Sequence, residues 1–317
     1  MQQLTDAQPE HFGERHDRGA ALPEGPRGPA RVAAGGRAPE QAVSPRSGAR
    51  PEGVERALAT MQEPPDHPLP LATLAEIAGL SPFHFARTFR EATGSPPGQF
   101  LAALRLERAK RLLLTTDLPV TEICFAVGYD SLGTFTTRFT QLVGLPPTQV
   151  RRLPDLLAET VERLPGDGPT PVAPEPTGAA PGVAGRVDAP AGLGAGALIF
   201  VGLFRGAIPQ GRPVAGAVLA APGPFRLPAP PDGRYHLIGA AVPHPRDALA
   251  CLLPGATLRV GRAAGTLLAR AGRVSGPTNI TLHPPRPTDP PILVALPALL
   301  LDSCPRFRAS RGARAAG

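Results

Sequence analysis

The sequence has almost no lysine. Its 33 Lys and Arg against 26 Asp and Glu give a net charge of +7, yet Lys110 is the only lysine. A basic chain suits nucleic acid, but arginine in place of lysine is equally what GC-rich coding produces. Nor is the charge concentrated. Residues 51–153 carry ten basic and ten acidic side chains, and residues 154–317 carry sixteen against ten. Bulk charge speaks to non-specific association, so an argument for DNA must come from a motif.

Cysteine is scarce too. Cys124, Cys251 and Cys304 lie too far apart for C-x-x-C, metal-ligand spacing or a disulfide framework. No metal and no cofactor are expected. No apolar run reaches the length of about 18 residues that a membrane span requires. The N-terminus lacks a charged segment followed by an apolar one, so no signal peptide is expected. The expectation is a soluble cytoplasmic protein without a membrane partner. Catalytic signatures are missing as well: there is no H-E-x-x-H, G-x-S-x-G or phosphate loop. His236, His244 and His283 are isolated, and Asp232 and Asp289 sit in turn contexts. No catalytic residue is assigned, and the chain is not expected to be an enzyme.

Proline (43) and glycine (36) are abundant instead. Together they approach the level of low-complexity disorder. Hydrophobic residues still make up 42%, so a core exists where Pro and Gly thin out. Residues 1–52 have no sustained period, and runs such as Pro23-Glu24-Gly25-Pro26-Arg27-Gly28-Pro29 cannot hold a helix. A disordered tail is expected there, or sequence upstream of a later start codon. Residues 154–194 read as a Pro/Gly/Ala linker, and 304–317 as a basic tail.

Between these lie two different textures. From 53 to 153 the pattern is helical. A short helix is predicted near 54–61 and another at 71–78. After Gly79, Ser81 caps a helix carrying Phe85 and Phe89, closed by Gly94. Pro96-Pro97 opens a longer helix to about 115. Pro119 opens the next, which ends near Gly128. Ser131 starts a helix with Phe135 and Phe139, closed by Gly144, and Pro147 opens a last short one. From 195 to 303, short apolar runs alternate with Gly and Pro at 197–203, 214–220, 235–242, 257–260, 266–269, 279–282 and 292–301. That spacing predicts an all-β sandwich or barrel. The fold class is therefore multidomain α and β: an all-α domain, then a small all-β sandwich, behind a disordered tail.

The helical part repeats itself. Leu74-Ala75-Glu76-Ile77-Ala78-Gly79-Leu80-Ser81, Phe85, Phe89 and Gly94-Ser95-Pro96-Pro97 match Ile123-Cys124-Phe125-Ala126-Val127-Gly128-Tyr129, Ser131, Phe135, Phe139 and Gly144-Leu145-Pro146-Pro147. From Phe85 onward the offset is fifty residues. Helix, glycine turn and second helix make the helix-turn-helix plan, whose second helix enters the major groove. A connecting helix of about 18 residues would span about 27 Å, near the roughly 34 Å between successive major grooves on one face of a duplex.

Residues 53–153 resemble the DNA-binding domain of AraC/XylS-type bacterial regulators. The resemblance rests on Leu74-Ala75…Ala78-Gly79-Leu80-Ser81, Phe89-Arg90…Gly94, Arg105-Leu106…Ala109…Leu112-Leu113, Ile123…Val127-Gly128-Tyr129-Asp130-Ser131, Phe135…Arg138-Phe139 and Gly144…Pro147…Arg151. Cys124 and Val150 depart from it, where alanine and an aromatic residue are usual. The resemblance implies sequence-specific binding of double-stranded DNA, RNA polymerase as a partner, and regulation of transcription such as activation. It also implies the DNA-facing residues. In the first head these are Phe83, His84, Ala86, Arg87 and Arg90. In the second they are Leu132, Gly133, Thr136, Thr137 and Arg138. Arg can bond guanine bidentately and Thr can touch the thymine methyl. Because the second set is short of long polar groups, the first head is expected to read bases and the second to position the complex. Phe85, Phe89, Phe135 and Phe139 are expected in the core, and Cys124 buried and inert.

Residues 223–227 and 231–237 resemble the strand–turn–strand of prealbumin-like or carboxypeptidase-regulatory-like β-sandwiches, over about one hairpin, which implies a small antiparallel sandwich. The sandwich is expected to sense a small-molecule effector, or to dimerise or recruit a protein without one. A DNA-repair methyltransferase is a distant rival, because Ser303-Cys304-Pro305-Arg306 lacks the histidine of that active site.

Overall fold

The computed structural model describes residues 49–63, 68–156, 182–190, 193, 197–242, 252–253 and 255–296. Residues 1–48, Cys251, Cys304, the basic tail and most of the expected linker lie outside the described residues.

The helical part comprises α1 (Ala49–Gln62), α2 (Leu71–Ala78), α3 (Pro82–Thr93), α4 (Pro97–Thr115), α5 (Val120–Ala126), α6 (Leu132–Val143) and α7 (Pro147–Arg151). The first helix starts at Ala49, so the boundary expected at residue 53 moves upstream. The turn of each repeat is closed by glycine. Gly79 has φ 67° and Gly128 has φ 81°, a region that a Cβ disfavours. Beyond them, Leu80 N–H donates to Ala75 O and Tyr129 N–H donates to Cys124 O. These bonds satisfy carbonyls that the helix end would leave without partners.

Two apolar cores follow from the repeat. The first gathers Val54, Leu58, Leu74, Phe85, Phe89 and Phe100, and the second Leu106, Leu113, Ile123, Phe135, Phe139 and Val150. The four repeated phenylalanines are all fully buried. Phe85 and Phe89 lie 5.4 Å apart between centroids, Phe135 and Phe139 5.5 Å. Each buried Phe or Leu contributes about 1.5–3 kcal/mol. Helix α4 enters both cores, with Phe100 in the first and Leu106 in the second. It joins the heads as a continuous rod of 19 residues.

The β part is a two-sheet sandwich. Its strands are β1 (Gly182–Asp188), β2 (Leu198–Phe204), β3 (Ala215–Leu219), β4 (Gly223–Pro228), β5 (Gly233–Val242), β6 (Arg259–Arg270), β7 (Arg273–Ser275) and β8 (Ile280–Thr281). One sheet has the order β4-β1-β8 and the other β3-β2-β5-β6-β7. Between them lie Val183, Val187, Phe225 and Leu227 of the first, facing Val201, Leu203, Tyr235 and Leu267 of the second.

Four expectations are corrected. Strand β1 lies inside the segment read as linker. The runs at 257–260 and 266–269 are one long strand, β6. The expected hairpin does not exist: β4 pairs with β1 and β5 with β2 and β6, so residues 229–232 cross between sheets. Tyr235 holds that crossing, its O–H donating to Pro231 O at 2.8 Å, a device known from sandwich corners. Finally, the sandwich is not wholly antiparallel, since β1 and β8 run parallel.

The sandwich is seated directly on the helices. Ile208, Leu252, Leu293 and Ala295 complete the core of the second head. Gly211 N–H donates to Leu142 O in the last turn of α6, and Arg262 Nη1 donates to Thr93 O at the end of α3. Lys110, in α4, donates through Nζ to Ile292 O at 2.7 Å. The C-terminal ends of both second helices and the rod between them therefore face the β part.

Candidate nucleic-acid interface

Each head presents the N-terminal turn of its second helix outward. Ser81 Oγ accepts the His84 N–H and Ser131 Oγ accepts the Thr134 N–H, each at 3.4 Å. These are N-caps that hold the first turn of α3 and α6. The buried–exposed pattern of residues 81–100 recurs at 131–150, departing only where Thr88 meets Arg138 and Arg90 meets Thr140. One structural unit is used twice, and its two copies differ mainly in side-chain chemistry.

The residues expected to face DNA fall on these outer faces. Phe83 is 80% exposed, a large apolar group held out in water, and Leu132 is 40% exposed. His84, Arg87 and Arg90 are exposed and Ala86 is half-buried. Gly133, Thr137 and Arg138 are exposed and Thr136 is half-buried.

Two of the arginines have neighbours of their own. Arg87 Nε donates to Glu91 Oε1 at 2.9 Å, with both side chains mostly in solvent. The pair spans one helical turn, and exposed pairs of this kind contribute at most about 1 kcal/mol. It orients the guanidinium and releases it at little cost. Arg138 lies beside Tyr129. Burial pushes the Tyr129 phenol up, while the Arg138 and Arg105 guanidinium charges work against that shift. Arg105, from α4, donates through Nη1 to Gly128 O, the turn glycine of the second head.

Sequence reasoning missed Glu91, Tyr129 and Arg105 as part of this surface. Glu91 was legible from its four-residue spacing to Arg87. Arg105 was not, because it arrives from another helix. Cys124 is fully buried, its thiol donating to Tyr129 O at 3.7 Å. Among the described residues, no His, Cys, Asp and Glu cluster could hold a metal ion, and no helix is long and apolar enough to cross a membrane.

The architecture defines a helix-turn-helix domain, and a family model described as such matches residues 74–153. The HTH-type transcriptional regulator YobQ of Bacillus subtilis is 37% identical over 83 residues, 26% of this chain and 34% of that protein. The MmsAB operon regulatory protein of Pseudomonas aeruginosa is 37% identical over 84 residues, 26% of this chain and 27% of that protein. Among solved structures, the C-terminal domain of AraT, a response regulator from Geobacillus stearothermophilus, is 36% identical, with a TM-score of 0.29. That match covers 32% of this chain and 84% of that one. Over these residues the chain is similar to helix-turn-helix transcriptional regulators, in keeping with the resemblance of residues 53–153 to AraC/XylS-type domains. The chain spans about a third, at most, of the length of the curated relatives it matches.

Proposed function

We propose that this protein is a sequence-specific regulator of transcription that lays α3 and α6 into successive major grooves of one duplex, with its β-sandwich responding to a small effector. The observation that carries the reading is the duplicated outer face: two Ser-capped helices, exposed in the same register, on a shared rod. At 1.5 Å per residue α4 is about 28 Å long, close to the roughly 34 Å between grooves. The first head reads bases through Arg87, with Arg90 one turn on reaching phosphate. The second, with Leu132, Gly133, Thr136 and Thr137, anchors the complex. RNA polymerase is the partner such a regulator would contact.

The seating of the sandwich supports an internal role for it. It touches the ends of α3 and α6 opposite their capped turns, so a change within it reaches both helices. The outer apolar face of the five-stranded sheet, with Leu198, Phe200 and Val218, is covered by Val294 and Leu296 of the same chain.

Binding sites selected from randomised or genomic DNA should yield a motif with two half-sites about one helical turn apart. Affinity for that site should fall steeply with salt as counterions are released. A salt slope near zero would sink the proposal.

A further inference from the structure

A cleft of about 500 Å³ opens between the helical domain and the sandwich. Its helical wall includes Leu104, Val150 and Leu153, and its β wall Leu252, Leu258 and Val294. Ligand cavities commonly measure about 300–1,000 Å³, with apolar walls and few polar groups. The cleft's polar lining comprises Gln62, Glu107, Lys110, Arg111, Thr115 and Asp289, of which Lys110 is the buried cation. The lysine is 7% exposed and donates to Ile292 O at 2.7 Å and, more weakly, to Leu293 O at 3.5 Å. An ammonium has a third N–H to offer. Among the described residues, no carboxylate stands within ion-pair distance of Nζ. Glu107 is one turn away and turned toward Arg111, at 3.8 Å. Asp289, also on the cleft wall, accepts the Arg286 N–H and sits 3.7 Å from His283. A buried cation held mainly by carbonyl dipoles, with Glu107 one turn away, is costly, and an anion beside it offsets part of that cost.

We infer that this cleft is the effector site and that it takes an organic monocarboxylate with an apolar body, its carboxylate against Lys110 and its body along Leu104, Val150 and Leu258. The inference rests on the reading of the sandwich as effector-responsive and deepens it by naming the site and the ligand class. The position suits a sensor. Lys110 belongs to the rod between the heads, and the backbone it grips continues to Leu293 and Val294, whose N–H groups donate to Pro209 O. Two residues on, Gly211 holds the end of α6.

The test uses the full chain and three probes of equal length: octanoate, 1-octanol and octylamine, each below its micelle concentration or solubility limit, measured by calorimetry. Octanoate should bind at least tenfold more tightly than octanol, and octylamine more weakly than either. Equal binding of octanoate and octanol, tighter binding of octylamine, or no binding overturns the site. Lys110→Met should erase the preference for octanoate over octanol. Because that change also removes the bond to Ile292, Leu104→Phe, which fills the cleft and keeps Lys110, provides a second arm and should weaken all probes together. As the only lysine, Lys110 also reports for itself. Octanoate should slow its modification by an amine-reactive reagent, read by mass spectrometry, and unchanged modification contradicts the placement. DNA affinity is measured separately. Octanoate binding without DNA binding removes the regulatory reading and keeps the site, whereas DNA binding without octanoate binding does the reverse.

Discussion

Arg262 Nη1 donates to the carbonyl oxygen of Thr93 across 3.1 Å, joining β6 of the sandwich to the last residue of α3. The same guanidinium lies so close to Gly94 that a Cβ there would stand 2.8 Å from Nη1. The end of α3 is thus packed closely against the β part. Arg262→Ala should cost about 1 kcal/mol, the usual net value of one hydrogen bond. It should also speed amide exchange in the last turn of α3. Unchanged exchange there would mean that the contact does not hold the helix end.

Arg87 tests the division of labour between the heads. Arg87→Ala should flatten the preference among DNA sequences, read from selected-site libraries. Equal weakening on all sequences would make Arg87 a phosphate contact instead. Glu91→Gln frees Arg87 and removes a negative charge from the same face. It should raise DNA affinity at low salt and leave the denaturation midpoint almost unchanged, because the pair is exposed.

The two serine caps give a matched pair. Ser81→Ala and Ser131→Ala should each destabilise by about 0.5–1 kcal/mol, in the lower part of the usual range because both bonds are 3.4 Å long. Denaturant unfolding of the two variants checks this. A difference of several kcal/mol between them would contradict the structural equivalence of the heads.

Lys110 should give the fold an alkaline pH dependence. Burial lowers its pKa from 10.5 to about 8, with Glu107 opposing and Arg111 adding to the shift. Between those values the unfolded chain holds the proton that the folded chain has released. Stability therefore rises with pH across that window, by at most about 1.4 kcal/mol per unit. Below pH 8 both states are protonated and the cost of the buried charge is present in full. The Tyr129 phenol, raised by burial, pulls the other way above its ordinary value of 10.0, so the comparison with Lys110→Met isolates the lysine. Equal slopes in the two proteins would contradict the burial of a charged amine.

Much of the helical domain was legible because its determinants are local. Gly79 and Gly128 mark turns through their own backbone freedom, Ser81 and Ser131 cap through the next three residues, and Phe85/Phe89 and Phe135/Phe139 share a face at one helical turn. The sandwich was legible as a class and not as a topology. Alternation says that Phe225, Leu227 and Tyr235 are buried, but not which strand pairs with which, so β4 and β5 read as a hairpin although they lie in different sheets. Strand β1 escaped notice because Val183 and Val187 are its only large apolar residues, set among glycine, alanine and the charged Arg186 and Asp188.

By itself, then, the sequence determined the duplicated helix-turn-helix, its caps, its two phenylalanine cores and the outward position of Phe83, Arg87 and Leu132, all of which depend on contacts within a few turns of chain. Only the tertiary structure decided that the sandwich sits on the ends of α3 and α6, that Lys110 is buried against Ile292, and that a cleft lies between them. Those contacts join residues far apart in the chain, from 69 positions for Leu142 and Gly211 to 182 for Lys110 and Ile292, and the hydrophobic pattern records that a face is covered, never by what.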